Sequence, residues 1–180
     1  MMETVRSKAY EATLEKLLKS DRFFSQLSEK IVQELVARAQ FVVYPPGEII
    51  IRAGDKADAF YIVLEGDARV FEQPETKTPE RLNHLRPGDL MGELGLQYDR
   101  PRSASIHALG QTTVARFDRG TWEWLIASVP HLSQELEQRF QGYTQYIQTL
   151  KLNRRHARMN YLTARKTVQR RRMLTKHSAG

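Results

Sequence analysis

The sequence predicts an α+β fold, a small antiparallel β-roll held between N-terminal and C-terminal helices. Three observations carry that expectation. Leucines and isoleucines recur at three- and four-residue spacing near the N-terminus. The middle of the chain breaks into short β-branched and aromatic runs separated by Gly, Pro and Asp. Helical spacing then returns after Thr121. Strands this short and this often interrupted close into a roll or barrel rather than an open sheet.

The first 40 residues read as N-terminal helices. Leu14, Leu17 and Leu18, then Leu27, Ile31 and Leu35, mark apolar stripes. Ser20-Asp21 breaks the first helix, and Ser25 or Ser28 can cap the second. Residues 41–118 form the predicted roll. Strands are expected at 41–44, 48–51, 59–64, 68–72, 104–108 and 113–117, with turns at Pro45-Pro46-Gly47, Gly54-Asp55, Glu65-Gly66-Asp67, Pro87-Gly88-Asp89 and Gly110. The polar stretch 73–79, with two prolines, reads as an exposed hairpin loop. Residues 119–150 should be helical, with Thr121 capping 122–128 and Pro130 opening the next helix. Leu136, Phe140, Tyr143, Ile147 and Leu150 then follow alternating four- and three-residue steps. The register continues more weakly through Arg154, Ala157, Tyr161, Ala164 and Val168. Such a seam suits a homodimer through the C-terminal helix, and equally one helix packed on its own roll.

Charge divides the chain. The formal net charge is +7, yet residues 151–180 hold ten Lys/Arg and no Asp or Glu. The first 150 residues therefore carry 18 basic against 21 acidic side chains. Contact with nucleic acid or a membrane surface is expected only through the basic helical tail 151–180. The chain has no cysteine, which excludes disulfides and thiolate-bound metal. Its apolar runs are far too short to span a bilayer, and no secretory leader pattern opens it, so a soluble, cytoplasmic protein is expected.

Chemistry concentrates in one stretch, Gly92-Glu93-Leu94-Gly95-Leu96 followed by Arg100-Pro101-Arg102-Ser103-Ala104-Ser105. It lies after a Pro-Gly-Asp turn and between strand-like segments. A short helical turn here would aim free backbone N–H groups at an anion. Arg102 adds a planar, permanently charged fork matched to phosphate. Glu93 can accept hydrogen bonds from sugar hydroxyls. A carboxylate beside a phosphate-binding arginine suits a ribose phosphate.

This pattern resembles the phosphate-binding cassette of the cyclic nucleotide-binding domain family, found in kinase regulatory subunits, gated channels and catabolite-activator-type regulators. The family reads roughly Phe-Gly-Glu-Leu-Ala-Leu, a few variable residues, then Arg-(Ala/Thr)-Ala-(Thr/Ser). Here the run is Met91-Gly92-Glu93-Leu94-Gly95-Leu96, then Arg102-Ser103-Ala104-Ser105. Pro46-Gly47-Glu48, Gly54-Asp55, Phe60-Tyr61-Ile62-Val63, Glu65-Gly66 and Pro87-Gly88-Asp89 follow the family's order, so the resemblance covers about residues 20–145.

The resemblance implies a jelly-roll-like β-roll with a short phosphate-binding helix. Its ligand would be a cyclic nucleotide, cAMP or cGMP, and it would need no metal. Arg102 would pair with the cyclic phosphate, assisted by backbone N–H groups near Ser103 and Ala104. Glu93 would accept from the ribose 2′-hydroxyl, with Gly92 close to the sugar and Leu94 in the same helix. Phe140, Tyr143 and Tyr146 have two readings, as seam or core and as a lid over the base. Gly95 stands where the family has alanine and is expected to loosen the short helix by up to about 1 kcal/mol. Ser103 leaves the choice between cAMP and cGMP open.

His84 and His107 lack metal-spaced partners, and Trp122 and Trp124 read as packing residues. No Gly-x-Ser-x-Gly elbow, nucleotide phosphate loop or His-Glu-x-x-His is present, so a non-enzymatic sensor that relays binding through its C-terminal helix is expected. Two alternatives are a catabolite-activator-type transcription regulator and a regulatory module of a channel, transporter or enzyme. The first is disfavoured because the 30 residues after Leu150 have too few apolar positions for a packed DNA-binding domain.

Overall fold

The structure is a computed structural model that describes residues 3–5, 7–21, 24–71 and 81–138. The chain divides into two compact units, 1–133 and 134–180. In the second, residues 134–138 are helical. The loop 73–79, the aromatic residues Phe140, Tyr143 and Tyr146, the seam beyond Leu136 and the basic tail all lie outside the described residues.

The first unit opens with a short strand, β1 (Glu3–Val5), followed by α1 (Lys8–Ser20) and α2 (Glu29–Arg38). Ser7 and Ser28 cap the two helices through their hydroxyls, which accept from Ala9 N and Ile31 N. Each helix buries its apolar stripe, Leu14 and Leu18 in α1, Val32 and Leu35 in α2. β1 departs from the helical expectation for the extreme N-terminus. It pairs antiparallel with β2 (Gln40–Tyr44), Glu3 opposite Val43 and Val5 opposite Phe41.

The remaining strands are β3 (Ile49–Ile51), β4 (Ala59–Glu65), β5 (Ala68–Phe71), β6 (Arg81–Leu85), β7 (Leu90–Met91), β8 (Ser105–Ala108) and β9 (Thr112–Asp118). They form two antiparallel sheets, ordered β1-β2-β9-β4-β7 and β3-β8-β5-β6. Tyr44, Tyr61, Val63 and Val114 of the first sheet meet Ile50, Val70, Leu85 and Ile106 of the second in one core. β4 is apolar on both faces because it is covered twice. Phe60 turns away from the inter-sheet core, stacks on Phe117 at 4.6 Å between ring centroids, and meets the edge of Trp122 at 5.3 Å.

That contact seats α4 (Arg119–Ser128) against the sheet. The cap of α4 lies three residues earlier than the sequence suggested. Asp118 supplies it, with Oδ1 accepting from Thr121 N at 2.7 Å, while Thr121 itself is buried inside the first turn. Trp124 takes the guanidinium of Arg38 over its ring at 4.6 Å, which ties α4 to α2. Helical backbone resumes at 130, where Pro130 was expected to start it.

Candidate functional site

The cassette predicted from residues 91–105 is built as a strand end, a left-handed glycine, a short helix and a return strand. Arg86 N donates to Asp89 Oδ2 at 2.8 Å, and Gly88 N donates to Val63 O at 2.9 Å, which directs β7 along β4. Gly92 follows at φ +84°, a left-handed conformation that favours glycine. A Cβ there would also lie 2.8 Å from Arg102 Nη1 and 2.9 Å from Ile51 Cδ1, so no other residue fits without moving the site. α3 (Glu93–Gln97) starts immediately after this turn.

Arg102 is the centre of the arrangement. Its side chain is only 4% exposed. Nη1 donates to Gly92 O at 2.6 Å, and Nη2 donates to Ala59 O at 2.7 Å and Asp58 Oδ1 at 3.1 Å. A guanidinium has five N–H donors, two more than these contacts use. Its ring-facing side lies 6.0 Å from the Tyr61 centroid. The backbone is fixed as firmly. Arg102 N donates to Asp55 O at 2.8 Å, Gly54 N donates back to Arg102 O at 2.9 Å, and Ala53 N donates to Ser105 Oγ at 3.0 Å. The loop between β3 and β4 is therefore stitched along the cassette, and the arginine is preorganised rather than free.

The other predicted residues distribute around it. Glu93 is buried at the first turn of α3, directly after the glycine that touches Arg102. Leu94 is half-buried, Ala104 half-buried and Ser103 exposed. Gly95 has a physical reason the sequence did not disclose. A Cβ at this position would come within 2.6 Å of Ala57 Cβ and 3.0 Å of Arg100 O, so the absence of a side chain lets α3 pack against the stitched loop.

Sequence reasoning missed Asp58 and Arg116. Asp58 is an exposed carboxylate that also accepts from Arg116 Nη2, at 2.8 Å. Burial opposes its ionisation, but the hydrogen bond and charge of Arg116, with the charge of Arg102 beyond, outweigh this and hold its pKa below the usual carboxylate value. Burial likewise acts to lower the pKa of Arg116, and Asp58 and Tyr61 reverse the sign and raise it. Burial pushes the Tyr44 hydroxyl up to about 12, aided by Tyr61 nearby, so it stays protonated. The signal that could have found Asp58 is its place just before an all-apolar strand, where an acid has no packing role.

The two histidines take structural places. His84 Nε2 lies 3.3 Å from Asp67 Oδ1, and His107 meets the Phe71 ring edge-on at 4.8 Å. Among the described residues no three His, Asp or Glu side chains cluster to hold a metal, and no helix is long and apolar enough to cross a membrane.

A two-sheet roll with an arginine sealed under a glycine-turn cassette defines a class. Residues 41–129 match the family model of the cyclic nucleotide-binding domain, and this stretch of the chain belongs to that family. It is similar to the cAMP-dependent protein kinase regulatory subunit of Aspergillus fumigatus, 35% identical over 134 residues, covering 73% of this chain and 30% of that protein. The regulatory subunit of Dictyostelium discoideum is 32% identical over 109 residues, covering 59% and 32%. The chain thus spans about a third of the length of these relatives. Among solved structures, the regulatory domain of Toxoplasma gondii PKA with cAMP superposes with a TM-score of 0.67 at 25% identity, covering 75% of this chain and 51% of that one. The Thermus thermophilus catabolite activator protein gives 0.63 at 27% identity, covering 73% and 63%.

Proposed function

We propose that the chain is a sensor that binds cAMP, or cGMP in its place, without turning it over, and passes the event to its C-terminal helices and through them to a protein partner. The observation that carries this is the seat of Arg102, a nearly sealed cation with donors to spare, held by the carbonyl of the glycine that precedes Glu93. Arg102 takes the cyclic phosphate, with backbone N–H groups at Ser103 and Ala104 beside it. Glu93 takes the ribose 2′-hydroxyl. Relatives named as cAMP-dependent regulatory subunits, and a fold neighbour solved with cAMP, support the choice of ligand. Phe140, Tyr143 and Tyr146 are the proposed lid.

Two bridges leave the cassette for the helices that follow it. Gln97 Nε2 donates to Ser133 Oγ at 3.0 Å, and Arg119 Nη2 donates to Asp99 Oδ1 at 3.1 Å and to Ala57 O at 2.9 Å. A ligand that shifts α3 must stretch or reset both, which supports a relay through 119–133.

The test is calorimetric titration with cAMP, cGMP and AMP, paired with hydrogen exchange. Binding is expected near micromolar, about −8 kcal/mol. Arg102→Ala should weaken it by several kcal/mol, about 3 or more, since a desolvated phosphate charge loses its partner. Binding by that variant as tight as the parent's would refute the site, and protection confined to 88–106 would refute the relay.

A further inference from the structure

The carboxylate of Asp58 is shared between two arginines, one oxygen to each. Oδ1 accepts from Arg102 at 3.1 Å and Oδ2 from Arg116 at 2.8 Å, so the closer partner is the arginine that lies outside the cassette. Arg116 stands on β9 opposite Tyr61 of β4. Its second nitrogen, Nη1, donates to Gln40 Oε1 on β2 at 3.1 Å, which braces the guanidinium from the far side. A carboxylate and a guanidinium left to themselves favour two parallel hydrogen bonds. Asp58 makes one with Arg102, because its other oxygen is engaged.

We propose that Arg116 is a positioning residue for anion binding: it restrains Asp58 to a one-oxygen contact and so keeps Arg102 available to a phosphodiester. This rests on Arg102 being the phosphate's partner. Without Arg116, Oδ2 is released and Asp58 closes a two-bond pair on Arg102. That pair then competes with the incoming phosphate for the same donors. Asp58 is well exposed, so it has room to turn.

The test is cAMP titration of the parent, Arg116→Met, Arg116→Lys, Asp58→Asn and the Arg116→Met/Asp58→Asn double variant, with circular dichroism to verify folding. Arg116→Met should weaken binding about tenfold, the scale of one charged hydrogen bond rearranged. In the Asp58→Asn background the same change should cost less than about twofold, since there is no carboxylate to release. Arg116→Lys, which keeps the charge and one contact, should recover part of the loss. Equal losses in both backgrounds, or none in either, would overturn the proposal. A second readout needs no ligand. The Arg102 Nε–H resonance should shift, and rotation of its guanidinium slow, in Arg116→Met. An unchanged resonance overturns the positioning role, whereas failure of the parent to bind any cyclic nucleotide overturns only the assignment of the ligand.

Discussion

Gly95 shows how a single missing methyl can be a packing decision. Judged by helix propensity, Gly95→Ala should stabilise α3 by up to about 1 kcal/mol. The Cβ would instead meet Ala57 Cβ at 2.6 Å and Arg100 O at 3.0 Å. Overpacking of that kind costs roughly 1–3 kcal/mol, so the clash wins. Gly95→Ala is expected to lower thermal stability, and Ala57→Gly in the same chain to restore most of it; a melting curve for each decides. Arg102, Gly92 and Glu93 were legible as residues because they lie within eleven positions on one linear motif. Asp58 was not. Its bond to Arg102 spans 44 residues, and that from Arg116 to Asp58 spans 58, so no local spacing announces either.

At the scale of elements, the strands with a clear apolar run were read nearly to the residue, down to the three isoleucines of β3, and β1, β6 and β7 were not read. β1 has three residues and β7 two, too few for any period to appear. β6 is polar and pairs with β5 through a bulge between Val70 and Phe71, so its alternation is broken. The cap of α4 was misplaced because a threonine before Trp122 resembles a cap, whereas Asp118 at the strand end accepts from the amide of Thr121 itself. The bond from Thr121 N is the chief cause that holds the Asp118 carboxyl below its ordinary pKa. Its stabilising contribution is therefore complete above the unfolded value of about 3.9 and fades as pH falls through the lower folded value. Asp118→Ala should cost about 1 kcal/mol at neutral pH. Denaturant titrations should show this gap closing as pH drops below about 4; a gap independent of pH would show that the carboxylate is not the cap.

Over the whole molecule, the order of three textures along the chain, helical, stranded and helical again, was enough to place the roll. The two-sheet pairing was not, because register is written between strands far apart in sequence, such as β2 and β9. One of the strands that escaped notice, β1, has a consequence for how the protein behaves at high concentration. β2 is Gln40-Phe41-Val42-Val43-Tyr44, uncharged and rich in β-branched and aromatic residues. β1 lies along its outer edge and occupies the amides through which a second chain would add itself. β1, three residues long, thus covers that edge of β2 against strand addition. Removing residues 1–6 should leave cyclic-nucleotide affinity intact and make the protein prone to aggregate, with light scattering on mild heating rising well before the parent's. A proteolytic nick that strips β1 from β2 is then a matter of solubility rather than of signalling.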